Sequence, residues 1–125
     1  MSVVYDAGVL VAADRNDRQV WADHRALLEF GVVPTTTAPV VAQVSRSARQ
    51  VQLGRLLRGC VIAPFAAEEA HQVGRLLGVS GTADVVDAHV VVAAAARNAT
   101  VLTSDTDDLR LLSGHLGVPI RIASV

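Results

Sequence analysis

Residues 84–97 place nothing but Val, Ala and one His between the acids Asp84 and Asp87 and the closing Arg97. A helix apolar on every side has no face to offer water and must be wrapped by neighbours. The rest of the chain therefore has to build layers around it. With 125 residues the chain can do so as one domain, 1–125, burying about two thirds of its unfolded surface.

The same run is too short for a bilayer and is interrupted by Asp87 and His89. The apolar start, residues 1–14, holds Asp6 and lacks a basic leader region. These features predict a cytoplasmic protein without membrane contact.

Short apolar runs at 2–5, 32–34, 60–64, 100–103 and 120–122 read as strands. Between them run helical patterns: residues 9–13, then Val20, Trp21, His24, Leu27 and Leu28 behind Asp17 and ahead of Gly31. Residues 35–37 followed by Pro39 read as a cap that opens a helix through Val40, Val41 and Val44. A further helix follows through Leu53, Leu56 and Leu57 up to Gly59. Residues 66–77 form a helix with Glu68 and Glu69 in its first turn, residues 78–82 a loop, and residues 107–116 the last helix. Strands alternating with helices predict an α/β fold, a sandwich in which helices flank a central parallel sheet of four to five strands. Ligands in such folds bind outside the carboxyl ends of the strands.

Composition removes several functions. Only Tyr5, Trp21, Phe30 and Phe65 are aromatic, too few for a base-stacking platform. Cys60 has no partner for a disulfide, and His24, His71, His89 and His115 are too scattered for zinc. All eleven basic residues are Arg, which excludes P-loop and Schiff-base chemistry. A net charge of −1 provides no global attraction for nucleic acid, so any such contact must be local. His24, His71 and His115 fall on helices expected at the surface, and Cys60 reads as a small apolar residue.

Three segments bring Asp to the carboxyl ends of strands: Asp6 after the first, Asp84 and Asp87 opening the apolar helix, and Asp105 after residues 101–104. On a helix Asp84 and Asp87 lie about 60° apart, whereas His89 lies about 160° from Asp87 and faces elsewhere. Clustered carboxylates are stable only when protonated or bound to cations, and oxygen-only ligands select Mg²⁺ or Mn²⁺. A cation held there orients a water, lowers its pKa and stabilises charge on a phosphoryl oxygen, as phosphodiester hydrolysis requires. Asp is also a favoured N-cap, which accounts equally for Asp84, Asp105, Asp107 and Asp108 taken singly. Asp6 and Asp87 are harder to explain that way, because an ionised group among Val and Ala is costly unless compensated.

Val3-Val4-Tyr5-Asp6-Ala7-Gly8, Asp84-Val85-Val86-Asp87-Ala88 and Val101-Leu102-Thr103-Ser104-Asp105, with 18 residues from Asp87 to Asp105, resemble PIN-domain ribonucleases. The resemblance is to VapC-type toxins of bacterial toxin-antitoxin pairs in particular, and it spans nearly the whole chain. It implies a PIN-like three-layer sandwich, an acidic pocket holding Mg²⁺ or Mn²⁺, endonucleolytic RNA cleavage, a homodimer and a cognate antitoxin. Carried onto this sequence, Asp6, Asp87 and Asp105 are the catalytic, metal-binding acids, Asp84 and Asp108 supporting acids, and Thr103 a polar neighbour. The chain departs from the pattern at Gln43, where the family has Glu. An amide can hydrogen-bond, but it supplies neither charge nor a proton site.

Arg15 and Arg18, after the first helix, and Arg46 and Arg49, near Gln43, are candidates for RNA phosphate contacts beside the acids. The leading expectation is a Mg²⁺/Mn²⁺-dependent endoribonuclease toxin. The alternative is a binding module that keeps antitoxin or RNA binding but has lost catalysis through Gln43. Receiver domains and haloacid-dehalogenase-like phosphatases fit poorly, since both need a late Lys and the latter an Asp where Gly8 stands.

Overall fold

The computed structural model describes residues 1–125. Twelve elements alternate along the chain: β1 (Val3–Tyr5), α1 (Ala7–Asp14), α2 (Arg18–Glu29), β2 (Thr35–Thr37), α3 (Ala38–Val44), α4 (Val51–Arg58), β3 (Val61–Ala63), α5 (Ala67–Ser80), α6 (Val85–Arg97), β4 (Thr100–Thr103), α7 (Thr106–Ser113) and β5 (Arg121–Ser124). The five strands form one parallel sheet in the order β3-β2-β1-β4-β5, the upper end of the expected four to five. No single helix is long and apolar enough to cross a membrane.

Strand order reverses beside β1. The chain steps outward through β2 and β3, then returns to place β4 against the other side of β1, pairing Val3 with Thr100 and Tyr5 with Leu102. Right-handed crossovers therefore put α1 and α4, which pack together, on one face and α5, α6 and α7 on the other. The crevice at the carboxyl ends of β1 and β4 is the topological switch point of such a sheet.

Helix α6 is the wrapped helix its composition demands. Its residues Ala88 to Ala94 are all buried, and it crosses β1, β2 and β4 on one side while meeting α5 and α7 on the other. In the elements it meets, Val4 of β1, Val101 of β4 and Leu109 of α7 are fully buried. Asp84 caps it by accepting the Asp87 N–H at 3.0 Å, and Asn98 ends it in a left-handed conformation.

The sequence reading errs at several boundaries. The second strand is Thr35–Thr37 rather than 32–34, and only Thr37 caps α3, through the Val40 N–H at 3.2 Å. Three consecutive threonines fit a central strand because they are β-branched and because Thr36 donates its hydroxyl to the Tyr5 carbonyl at 3.0 Å. Helix α5 runs on through residues 78–80, expected as loop, and turns off at Gly81 with φ +71°. Helix α7 stops at Ser113, three residues short of expectation, with Gly114 as its C-cap.

Candidate metal centre at the switch point

Asp6 follows β1 directly and occupies the N-cap position of α1 without capping it. Its carboxylate is 5% exposed. Oδ2 accepts a 2.7 Å hydrogen bond from the fully buried Thr103 hydroxyl, whereas Oδ1 has no hydrogen-bond partner. Thr103, the last residue of β4, also accepts the Asp105 N–H at 2.9 Å. One hydroxyl thus ties the ends of two adjacent strands together and sets the start of the loop that carries Asp105.

Gly8 makes this approach possible. A Cβ at residue 8 would overlap the Ser104 Oγ and lie 2.8 Å from the Ser104 Cβ, so only glycine lets the first turn of α1 sit against the end of β4.

Asp105 holds the N-cap position of α7 yet makes no side-chain capping bond, which leaves its carboxylate free to meet its neighbours. Asp87, Asp105 and Asp108 bring one oxygen each to within 4.8 Å of one another. Asp84, Asp87 and Asp108 line a cleft of about 150 Å³ with Thr82, Ala83, Leu111 and Leu112. Burial, and then the charges of Asp84, Asp6, Asp105 and Asp108, push the Asp87 carboxyl up to about 7. A hydrogen bond with Asp105, followed by the charge of Asp105, raises Asp108. Mutual influence of this kind requires the five acids to share one neighbourhood.

Of the four aspartates at N-cap positions, Asp17 and Asp84 cap their helices, whereas Asp6 and Asp105 do not. Capping therefore accounts for Asp84 and leaves Asp6 and Asp105 without that explanation. Two larger clefts, of about 430 and 420 Å³, contain no carboxylate, so size does not mark this site and chemistry does.

Gln43 is exposed on α3 and, as an amide, adds no charge to the site. The candidate arginines hold other positions. Arg15 is the C-cap of α1, one helix length, about 12 Å, from Asp6. Arg46 turns back on the end of α3, donating to the carbonyls of Ala42 and Ser45 at 3.0 and 2.7 Å. Arg49 is exposed nearby. Arg18 lines the separate cleft between α2 and α4.

Histidine placement divides the expectations. His89 faces away from the acids, as its angle on the helix requires; it is fully buried, bonded to Glu69 at 3.1 Å and stacked at 4.5 Å on Phe65. His71 and His115 are exposed. His24 is not a surface residue. It is 4% exposed, shares a 2.9 Å hydrogen bond with the Tyr5 hydroxyl, and burial lowers its pKa. Its place in the stripe of Val20, Trp21 and Leu27 points it inward; what the sequence could not give is the partner, which β1 supplies. Burial pushes the Cys60 thiol up to about 12, which makes it inert at neutral pH.

No family model matches the sequence, and no curated protein matches it. Solved structures share its fold. VapBC2 from Rickettsia felis, bound to a DNA fragment from its promoter, superposes with a TM-score of 0.69 and 18% identity, covering 100% of this chain and 99% of that one. FitAB bound to an IR36 DNA fragment gives 0.68 and 16%, covering 98% and 94%. PAE2754 from Pyrobaculum aerophilum gives 0.62 and 16%, covering 96% and 90%. The likeness extends along the whole α/β sandwich in all three.

Proposed function

We propose that the chain is a Mg²⁺- or Mn²⁺-dependent endoribonuclease, the toxin of a toxin-antitoxin pair. The convergence of Asp87, Asp105 and Asp108 within 4.8 Å carries this reading, with buried Asp6 beside them at the switch point. Fold likeness to VapBC2 and FitAB supports the toxin-antitoxin part of this reading; a protein antitoxin as partner and a homodimer as the working form belong to the same proposal.

The donor set fits a hard divalent cation. Its oxygens are carboxylates, and an almost fully buried carboxylate with an unpartnered oxygen, Asp6 Oδ1, is stabilised by a cation more than by anything else nearby. Asp87, Asp105 and Asp108, whose oxygens converge, would hold the ion, with buried Asp6 as a further ligand and Asp84 adding charge. Such an ion supplies stabilisation of phosphoryl charge and a water of lowered pKa.

The chain's own residues do the positioning. Thr103 orients Asp6 and the Asp105 backbone through one hydroxyl, and Asp84 holds the first turn of α6 so that Asp87 faces the cleft. Without a cation, Asp87 keeps a proton up to about pH 7. A cation held by Asp87 would compete with that proton, so its affinity would rise with pH.

The test is cleavage of a mixed RNA pool by the purified chain with Mg²⁺ or Mn²⁺, beside Asp87→Asn and Gln43→Glu. Cleavage by the wild type that disappears in Asp87→Asn is expected; equal cleavage by both would overturn the assignment. A second reading rests on Gln43, an uncharged and exposed amide on α3: a binding module without catalysis. Activity appearing only in Gln43→Glu would select it.

A further inference from the structure

Between α2 and α4 lies a cleft of about 420 Å³ lined by Asn16, Arg18, Trp21, Arg25, Gln52 and Arg55. Three guanidinium groups converge there without a carboxylate. The only ion pair in the molecule within 4.0 Å is that of His89 with Glu69, so no arginine charge in the cleft is neutralised. On the reading of the acidic centre as a ribonuclease site, we infer that this cleft is a second contact surface for RNA, a groove that takes the phosphodiester backbone away from the point of cleavage.

The cleft is preorganised. The Trp21 indole donates to the Ala13 carbonyl at 3.0 Å and stands edge-on to buried His24 with ring centres 5.8 Å apart. Over this fixed ring lies the Arg55 guanidinium, 5.6 Å from its centre, and Arg55 also donates to Gln52 Oε1 at 3.1 Å. The guanidinium is held in place while retaining further donors for a ligand. Arg18 and Arg25 are seven residues apart on α2, hence on one face and about 10 Å apart along the axis. A row of charges of that length matches a backbone charged at every nucleotide better than a single small anion.

Trp and Arg also occur in protein interfaces, but those have an apolar centre; here Trp21 and Ala22 are the only apolar residues of the wall and the indole is covered by Arg55, which favours phosphate over a protein surface. Nucleic-acid affinity comes instead chiefly from phosphate contacts. Position completes the case. The Ala13 carbonyl that anchors Trp21 belongs to the last turn of α1, whose N-cap is Asp6, so the groove lies about one length of α1, roughly 12 Å, from the acids. A net charge of −1 gives the molecule no overall pull on RNA, and a local cationic surface at that distance offsets the repulsion of the acidic cluster.

The test uses a labelled single-stranded ribo-oligonucleotide in EDTA, which prevents cleavage, with fluorescence anisotropy to read affinity and the emission of Trp21, the sole tryptophan, to locate binding. Saturable binding that perturbs Trp21 is expected. Arg25→Gln/Arg55→Gln should weaken it at least about tenfold and reduce the salt dependence by about one to two phosphate contacts. Arg75→Gln, a distant exposed site on α5, should leave it unchanged. Cleavage with Mg²⁺ or Mn²⁺ is read separately from binding, so the two readings fail separately: binding that perturbs Trp21 without cleavage by the wild type removes the nuclease reading alone, and cleavage with undiminished binding in the double arginine variant removes the groove alone. Undiminished binding in the double arginine variant would overturn the proposal, as would equal displacement by poly-glutamate at the same ionic strength, which would assign the groove to acidic protein.

Discussion

The hydroxyl of Thr103 donates a 2.7 Å hydrogen bond to the carboxylate of Asp6, 97 residues earlier in the chain. Both side chains are almost wholly buried, and the bond joins the ends of β1 and β4 where the strand order reverses. It is the contact that turns two separately placed residues into one wall of a site.

Replacing Thr103 by Val keeps the shape and removes the hydroxyl, leaving both Asp6 oxygens without a protein partner and the Asp105 N–H without its acceptor. A loss of about 1–3 kcal/mol is expected, read by urea unfolding. Thr103→Ser, which keeps the donor, should recover most of it; equal losses in both variants would show that the methyl packing matters and the hydrogen bond does not.

Asp87 gives the metal-free protein a signed pH dependence. Its carboxyl is pushed from 3.8 up to about 7 in the fold, so folding favours the protonated form. That contribution is present at low pH, declines as pH rises from about 4, and is lost above about 7. Partial exposure limits it to about 1 kcal/mol, a few degrees in Tm. In EDTA, the Tm of the wild type relative to Asp87→Asn should fall between pH 5 and pH 8. Comparison with the variant cancels His24, whose lowered pKa acts in the opposite sense as pH falls below about 6.5.

Mn²⁺ or Mg²⁺ should reverse that loss. A cation that binds only the folded chain stabilises it by about 2.7 kcal/mol at a hundred times its Kd. Thermal unfolding at pH 8 should therefore shift upward by several degrees on adding the ion, with the shift abolished in Asp87→Asn/Asp105→Asn. A shift that survives in this double variant would place the ion elsewhere.

Gly8 and Ser104 form a reciprocal pair. Gly8→Ala introduces a methyl that meets the Ser104 side chain and should cost about 1–3 kcal/mol, displacing Asp6 from the other acids. Ser104→Gly in the same chain removes the opposing Oγ and Cβ, leaving only the backbone N at 3.1 Å, and should restore most of the stability lost in Gly8→Ala alone. Additive losses in the double variant would show that the close approach is not what requires glycine.

Local chemistry made much of this legible from residues alone. The absence of any polar face between Asp87 and Arg97 demands a helix enclosed in a layered fold, and Asp after an apolar run marks a strand end without reference to anything distant. The 100° helical step is enough to turn His89 away from Asp87. The boundary errors arose where tertiary context outweighs pattern: 32–34 looks more strand-like than three threonines, until the Tyr5 carbonyl is available to Thr36.

By itself the sequence determined that strands alternate with helices, that α6 lies at the centre, and that acids stand at strand ends and helix starts, because these follow from periodicity and burial within a few residues. Tertiary structure alone decided which of those acids meet. The parallel pairing of β1 with β4 seats Thr103 against Asp6, the free N-cap of α7 lets Asp105 reach Asp87 and Asp108, and β1 claims His24 through Tyr5. The gathering of Arg18, Arg25 and Arg55 across two helices is of the same kind. Each depends on backbone segments far apart in sequence being brought within a few ångströms, and side-chain contacts at that range have no counterpart in local periodicity.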